Sequence, residues 1–152
     1  MGIGYIGEAY DGLYKQEQLS KLRIIIQELD LDGKRLLDLG CGTGFSLDNY
    51  PCEAWGVEPQ RDLILHNKDR IKMGSDERIP FPDGHFDVTV AISAAHHFTT
   101  FDEILRVTSD KVVFSLVKPL LSFKGLRERI MAEFNVYKEI DEGKDLILFC
   151  QL

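Results

Sequence analysis

Leu36-Leu37-Asp38-Leu39-Gly40-Cys41-Gly42-Thr43-Gly44-Phe45 is the stretch that most restricts what this chain can fold into. Its leucines and aspartate read as the end of a buried parallel strand. Three alternating glycines then lead toward a helix. Glycine permits the sharp backbone turn and lets a ligand reach main-chain atoms that a Cβ would shield. A strand ending in such a loop marks a nucleotide-cofactor site at the carboxyl edge of an open α/β sheet.

Spacing narrows the cofactor. The dinucleotide fingerprint G-x-G-x-x-G requires glycine at position 45, where Phe45 stands. A phosphate-cradling loop requires Gly-Lys-Ser/Thr, and no lysine follows Gly44. The pattern present is Asp38-x-Gly40-x-Gly42-x-Gly44.

The rest of the chain reads as alternating strands and helices. Leu19, Leu22, Ile26 and Leu29 recur at helical spacing over Tyr14 to Leu29, with Lys15, Glu17, Lys21 and Glu28 off that face. Asp32-Gly33 breaks the helix. Strands are expected over 35–39, 54–58, 71–74, 86–93 and 111–116. Short helices are expected after Phe45, over 61–67, over 101–108, and from Ser122 to about Ala132. Segments 134–140 and 144–151 flank Asp141-Glu142-Gly143 and read as a terminal hairpin. Five strands alternating with helices place the chain in the doubly wound α/β class.

The glycine pattern resembles motif I of the class I S-adenosylmethionine-dependent methyltransferases, in particular their small ubiquinone-biosynthesis-like branch. Three further segments follow in the family's order. Ala54-Trp55-Gly56-Val57-Glu58 is similar to its second strand, which ends in an acid. Ile79-Pro80-Phe81-Pro82-Asp83-Gly84-His85-Phe86-Asp87-Val88 resembles its L-P-F-x-D-x-x-F-D-V segment. Ala91-Ile92-Ser93-Ala94-Ala95-His96-His97-Phe98 resembles its fourth strand end. The likeness spans about Arg35 to Leu116. It implies a Rossmann-like, seven-stranded, mostly parallel sheet with an antiparallel C-terminal strand and helices on both faces. It also implies one domain over 1–152, with 1–30 as an N-terminal lid and helix segment and 34–152 as the catalytic core.

The resemblance assigns cofactor contacts to Asp38, Gly40, Cys41, Gly42, Gly44, Glu58, Pro59, Ser75, Asp76, Glu77, Ile79 and Ser93. The Gly40 carbonyl would meet the cofactor's ammonium group. Asp38 would help hold that end, or brace its own loop. Glu58 at the end of strand 2 would take both ribose hydroxyls, since a carboxylate accepts two hydrogen bonds. The family's adenine segment reads G-D-A-E-x-L-P-F, whereas here it is Gly74-Ser75-Asp76-Glu77-Arg78-Ile79-Pro80-Phe81, with the aspartate one residue late. Adenine is therefore met by Asp76 after a one-residue slip, or by Ser75. His96 and His97 are candidates for a general base, with helix-start packing as the alternative. Tyr10 and Tyr14, with Tyr5 and Asp11, sit in a segment that resembles the family's lid.

The implied reaction is transfer of the S-adenosylmethionine methyl group to a small-molecule acceptor by in-line displacement. Alternatives are an RNA or protein methyltransferase working with a partner subunit, and a non-catalytic S-adenosylmethionine-binding subunit. The strand-4 end lacks Asn/Asp-Pro-Pro-Tyr, which argues against amide or adenine nitrogen as acceptor. A net charge of −7 opposes unaided binding of a long nucleic acid, because phosphate neutralisation dominates such affinity. The basic group Lys118, Lys124, Arg127 and Arg129 reads as a solvated helix face. Cys41, Cys52 and Cys150 are scattered, with no C-x-x-C, so a reducing cytoplasmic setting and no metal are expected. Cys52 reads as a buried thiol. No segment reads as a signal peptide or membrane span. A homodimer or an activating partner subunit remains compatible with the chain.

Overall fold

A computed structural model describes the backbone from Ile3 to Leu152 and the side chains from Gly7 onward; Tyr5 lies outside the described side chains. One seven-stranded sheet organises the chain, in the order β3-β2-β1-β4-β5-β7-β6. The strands are β1 (Arg35–Leu39), β2 (Glu53–Glu58), β3 (Ile71–Met73), β4 (Phe86–Ile92), β5 (Thr108–Val117), β6 (Asn135–Asp141) and β7 (Asp145–Gln151). Pairings among β1 to β5 are parallel. β7 runs antiparallel to both neighbours.

Period-two alternation splits the core between two faces. Leu37 and Leu39 of β1, Phe114 of β5 and Leu148 of β7 pack on one face with Ile104 of α2 (Asp102–Val107) and Ile130 of α3 (Phe123–Glu133). Leu36, Val113, Ile147 and Phe149 pack on the other against Leu22, Ile25 and Leu29 of α1 (Ile3–Glu28). Asp38, Ser115 and Asp145 share the parity of this second set, so sheet geometry turns them toward α1.

Several elements depart from the sequence expectation. α1 begins eleven residues earlier than Tyr14, through Gly4, Gly7 and Gly12. Glycine weakens a helix by about 1 kcal/mol relative to alanine, but Gly7 has a packing reason: a Cβ there would lie 2.8 Å from the Leu63 carbonyl oxygen. Lys21, expected off the buried face, is 2% exposed. The turn after Phe45 is a 3-10 helix over Phe45–Asn49. The helix expected over 61–67 is a 3-10 turn over Arg61–Leu63 only. There the Leu65 and His66 N–H groups donate to the Thr43 carbonyl instead of to their own segment. Cys52 is half-buried, not buried.

At 26 residues α1 is about 39 Å long. Its C-terminal half packs on the sheet. Its N-terminal half carries Gly7 to Leu63 and Tyr10 to the glycine loop, beyond the carboxyl edge.

Candidate cofactor and acceptor site

A cleft of about 520 Å³ opens where β1 and β4 diverge from the strand order, at the carboxyl edge. Open α/β sheets bind ligands at such a switch point. Its floor is the loop after β1. Gly40, Gly42 and Gly44 have φ of 80°, 58° and 87°, a region that side chains with a Cβ avoid. A Cβ on Gly40 would sit 2.9 Å from that of Ala94, and one on Gly44 would collide with the His66 carbonyl. Gly42 is more open, with the Tyr10 ring 3.6 Å from where its Cβ would be.

Glu58 stands at the end of β2, only 5% exposed. Its Oε1 accepts the Gly42 N–H at 2.9 Å and its Oε2 accepts the Gln60 N–H at 2.8 Å. Each oxygen keeps a lone pair for a ligand. Burial raises the Glu58 pKa, against the lowering from these two backbone donors. The loop is thereby fixed to the acid that borders it.

Asp38 lies beneath the loop. Its Oδ2 accepts Ser46 Oγ at 2.7 Å and Tyr50 Oη at 3.2 Å. Burial pushes its carboxyl up from 3.8 to about 6, with the two hydroxyls opposing. It borders a cavity of about 30 Å³ beside Gln18, Gly40 and Gly42. Asp38 thus braces its own loop and also borders space next to Gly40.

Segment 75–78 is a tight turn closed by a Ser75–Arg78 bridge. Ser75 and Asp76 both line the cleft. Asp76 Oδ2 takes the N–H groups of Thr99 at 2.8 Å and Thr100 at 3.2 Å, plus the Thr99 hydroxyl, while Oδ1 has no hydrogen-bond partner among the described residues. Across the cleft, Ser93 follows the end of β4 with φ of 52°. Such a conformation costs a non-glycine residue roughly 1–3 kcal/mol. Its Oγ donates to Asp145 Oδ2 at 2.7 Å and accepts from Lys21 Nζ at 2.9 Å.

The N-terminal half of α1 closes the roof. Tyr10 lines the cleft, and burial, then the Glu58 charge, raise its pKa. Asp11 clasps two elements at once: Thr43 of the glycine loop donates its hydroxyl to Oδ1, and His66 Nε2 lies 2.6 Å from Oδ2.

Residues 37–115 match a family described as "Methyltransferase domain". With the glycine loop and the terminal acid of β2 in place, that match decides the family. The chain belongs to the class I S-adenosylmethionine-dependent methyltransferases. The uncharacterized methyltransferase YcgJ of Bacillus subtilis is 30% identical over 86 residues, which cover 47% of this chain and 34% of that one. The chain spans 29% to 57% of the length of the curated relatives it matches. In fold it is similar to a SAM-dependent methyltransferase from Aquifex aeolicus, with a TM-score of 0.77 at 15% identity over 99% of this chain and 98% of that one. A second fold neighbour comes from a Haloferax volcanii complex between the Trm112 methyltransferase activator and a methyltransferase. Its TM-score is 0.75 at 12% identity, over 99% and 96% of the two chains.

The family's cofactor is S-adenosylmethionine, and this methyltransferase has the groups to hold it. The glycine loop is a cradle in which a Cβ at Gly40 or Gly44 would be crowded, and Glu58 presents spare lone pairs beside it.

The expected site residues separate into two groups. Gly40, Gly42, Glu58, Pro59, Ser75, Asp76, Ser93, His97 and Tyr10 border the cleft. Others do not. Cys41 turns its Sγ toward Gly56, where a Cβ would lie 2.6 Å away. Ile79 is 2% exposed in the core, its N–H held by Glu103. Glu77 is exposed and accepts the Thr99 hydroxyl at 2.8 Å. Tyr14 packs against Tyr10 in a tilted arrangement with centroids 4.9 Å apart. Gly44 lies under His66. His96 lies behind His97, ring centroids 4.0 Å apart, and burial, then His97, lower its pKa. Among the described residues, no group of three or more His, Cys, Asp or Glu could hold a metal ion.

Sequence reasoning missed Gln60 and Leu63 in the lining, and the Lys21–Asp145 pair behind Ser93. A signal existed for the pair: Lys21 adjoins Leu22 on α1, and Asp145 keeps step with Ile147 and Phe149 on β7. Three of the four basic residues, all but Lys124, have partners among the described residues. Lys118 pairs with Asp141, Arg127 with Glu139, and Arg129 lies 4.1 Å over the Phe101 ring.

Proposed function

We propose that this chain binds S-adenosylmethionine in the cleft and transfers its methyl group to a small-molecule acceptor. The observation that carries the reading is Glu58, pinned by the Gly42 and Gln60 N–H groups at the mouth of a positive-φ glycine loop. Glu58 receives the ribose hydroxyls on its spare lone pairs. The Gly40 carbonyl and Asp38 hold the ammonium end. Asp76 turns its free Oδ1 to the adenine amino group, with Ser75 beside it.

The cofactor's sulfonium supplies an already activated methyl group. The chain's own contribution is proximity and alignment, worth ~7–11 kcal/mol for well-oriented reactants. Tyr10, held over Gly42 by the Asp11 clasp, excludes water from above. His97 borders the acceptor side and serves as base where the acceptor must lose a proton; His96 stands behind it. On this reading residues 34–152 form the catalytic core and 1–30 the lid. A low-molecular-weight acceptor is favoured because the acceptor side of the cleft is bounded by Ser93, Ala94 and His97 beneath α1. The net charge of −7 points the same way, and Lys118 and Arg127 are neutralised in ion pairs.

Calorimetric titration with S-adenosylmethionine and S-adenosylhomocysteine, with NAD as control, tests the reading. Micromolar binding of the first two alone is expected; NAD binding, or none of the three, refutes it. No described helix is long and apolar enough to cross a membrane. Three free thiols suit a reducing, cytoplasmic setting.

A second reading is a macromolecular methyltransferase with an activating subunit. The Haloferax neighbour, taken from a complex with an activator, favours it. So does the three-residue edge strand β3, whose Met73 is 41% exposed. Size-exclusion chromatography of the native protein separates the two: a lone monomer active on a metabolite removes the second.

A further inference from the structure

Ser93 stands between the cleft and a buried charged cluster. Lys21 from α1 is 2% exposed, Asp145 from β7 is 0% exposed, and their charged atoms are 3.2 Å apart. Ser115 from β5 donates its hydroxyl to Asp145 Oδ2. The Asp145 N–H donates to Glu142 Oε2 at 3.1 Å, and Glu142 Oε1 accepts Ser20 Oγ of α1 at 3.1 Å. Side chains from α1, β5 and β7 thus gather behind one serine that has left-handed backbone geometry.

Such a cluster is weak evidence for stability, because removing two charges from water offsets most of their attraction. Its effect on Ser93 is specific. An ammonium can only donate, and a carboxylate can only accept. The Ser93 hydroxyl has one proton and two lone pairs. Its proton is committed to Asp145 and one lone pair to Lys21. Reversing the hydroxyl would point O–H at the ammonium. One lone pair remains, on a residue that borders the cleft. Ser93 can therefore accept one more hydrogen bond and donate none.

We propose that Ser93 Oγ is the acceptor-binding group of this methyltransferase, and that it selects acceptors whose reacting atom carries a proton: a hydroxyl, an amine or a thiol. Lys21 and Asp145 are positioning residues that fix the polarity of the serine. The site lies next to the glycine loop, since a Cβ on Gly40 would meet Ala94, the neighbour of Ser93. Transfer breaks the cofactor's sulfur–carbon bond, forms the bond to the acceptor atom and sends that atom's proton to His97 on the same side of the cleft; a methylated oxygen or sulfur then lacks the donor, so the contact that orients the acceptor is lost in the product. A carbon acceptor without such a donor would leave the lone pair unmet. This inference rests on the methyltransferase reading above.

The test uses the protein saturated with S-adenosylhomocysteine, titrated by NMR with matched probes: phenol against anisole, and aniline against N,N-dimethylaniline. Each pair mimics an acceptor and its fully methylated counterpart. The donor-bearing probe is expected to bind about fivefold more tightly, the equivalent of one neutral hydrogen bond. In Ser93→Gly, which is at ease at this φ, the preference should fall below about twofold, with S-adenosylhomocysteine binding still measurable as the sign of an intact cleft, and the thermal midpoint should drop because Lys21 and Asp145 each lose a partner. Lys21→Met should also lessen the preference, because the hydroxyl is then free to turn. No preference in the wild-type protein, absence of probe binding, or a preference unchanged in Ser93→Gly overturns the proposal. Failure of S-adenosylhomocysteine to bind at all would instead refute the cofactor reading.

Discussion

Asp38→Asn should stabilise the protein at neutral pH and leave it unchanged in acid. Burial raises the Asp38 carboxyl from 3.8 to about 6. Between pH 4 and 6 the folded state therefore holds this proton more tightly than the unfolded chain. Raising the pH through that window removes stability. The gap of about two pH units corresponds to about 3 kcal/mol at pH 7, at 1.36 kcal/mol per unit. Asparagine has no such dependence. Its carbonyl oxygen can keep both hydroxyls, because Ser46 and Tyr50 donate to the same oxygen. The new amide donors face a small cavity shared with Gln18, whose buried Oε1 has no partner among the described residues. The stability difference between the Asp38→Asn protein and wild type should thus move by about 3 kcal/mol in favour of the variant from pH 4 to pH 7. That corresponds to roughly 6–12 °C in thermal midpoint for a domain of this size. Urea denaturation at pH 4, 5, 6 and 7 reads the difference directly, and constant packing effects cancel. A difference flat within about 0.5 kcal/mol would refute the assignment of a burial penalty to Asp38. At pH 7 the same variant should bind S-adenosylmethionine about 10- to 150-fold more weakly, the loss of one charged hydrogen bond.

Glu58→Gln faces its amide donors toward the N–H of either Gly42 or Gln60, so one backbone donor loses its acceptor. S-adenosylhomocysteine affinity should fall about tenfold or more and stability by about 1–3 kcal/mol; calorimetry showing less than a twofold change counts against the ribose role. Gly42→Val places a β-branched residue at φ 58° under Tyr10 and should abolish cofactor binding, with retained micromolar affinity the contrary result. Lys21→Met strands the buried Asp145 carboxylate and should cost about 3–5 kcal/mol, whereas Lys21→Met with Asp145→Leu should recover most of it; equal losses in chemical denaturation would show that the charges do not act as a pair.

Much of the fold was legible because it rests on local rules. The run Leu36–Leu39 followed by alternating glycines, the acid closing β2 and the apolar run of β4 each announce themselves within a few residues. Glu58 was legible for the same reason. In the segment 74–81, Ser75 and Asp76 both reach the cleft, while the fully buried Ile79 turns into the core. Segment 61–67 was misread because its amide groups bond to Thr43, far away in sequence, which no local propensity reports.

The sequence by itself determined the sheet class, the glycine loop and the acid at the end of β2 that borders it, since strand alternation and glycine's freedom are properties of neighbouring residues. Tertiary structure alone decided what surrounds that loop. Gly7 allows α1 to pass close to Leu63, Tyr10 comes to rest over Gly42, and Lys21 meets Asp145 across 124 positions of sequence. A lysine beside a helix's apolar stripe looks solvated until the sheet places a carboxylate opposite it. Its burial depends on a pairing that only the tertiary structure makes, although the place of each partner beside buried neighbours in its own element hinted at it.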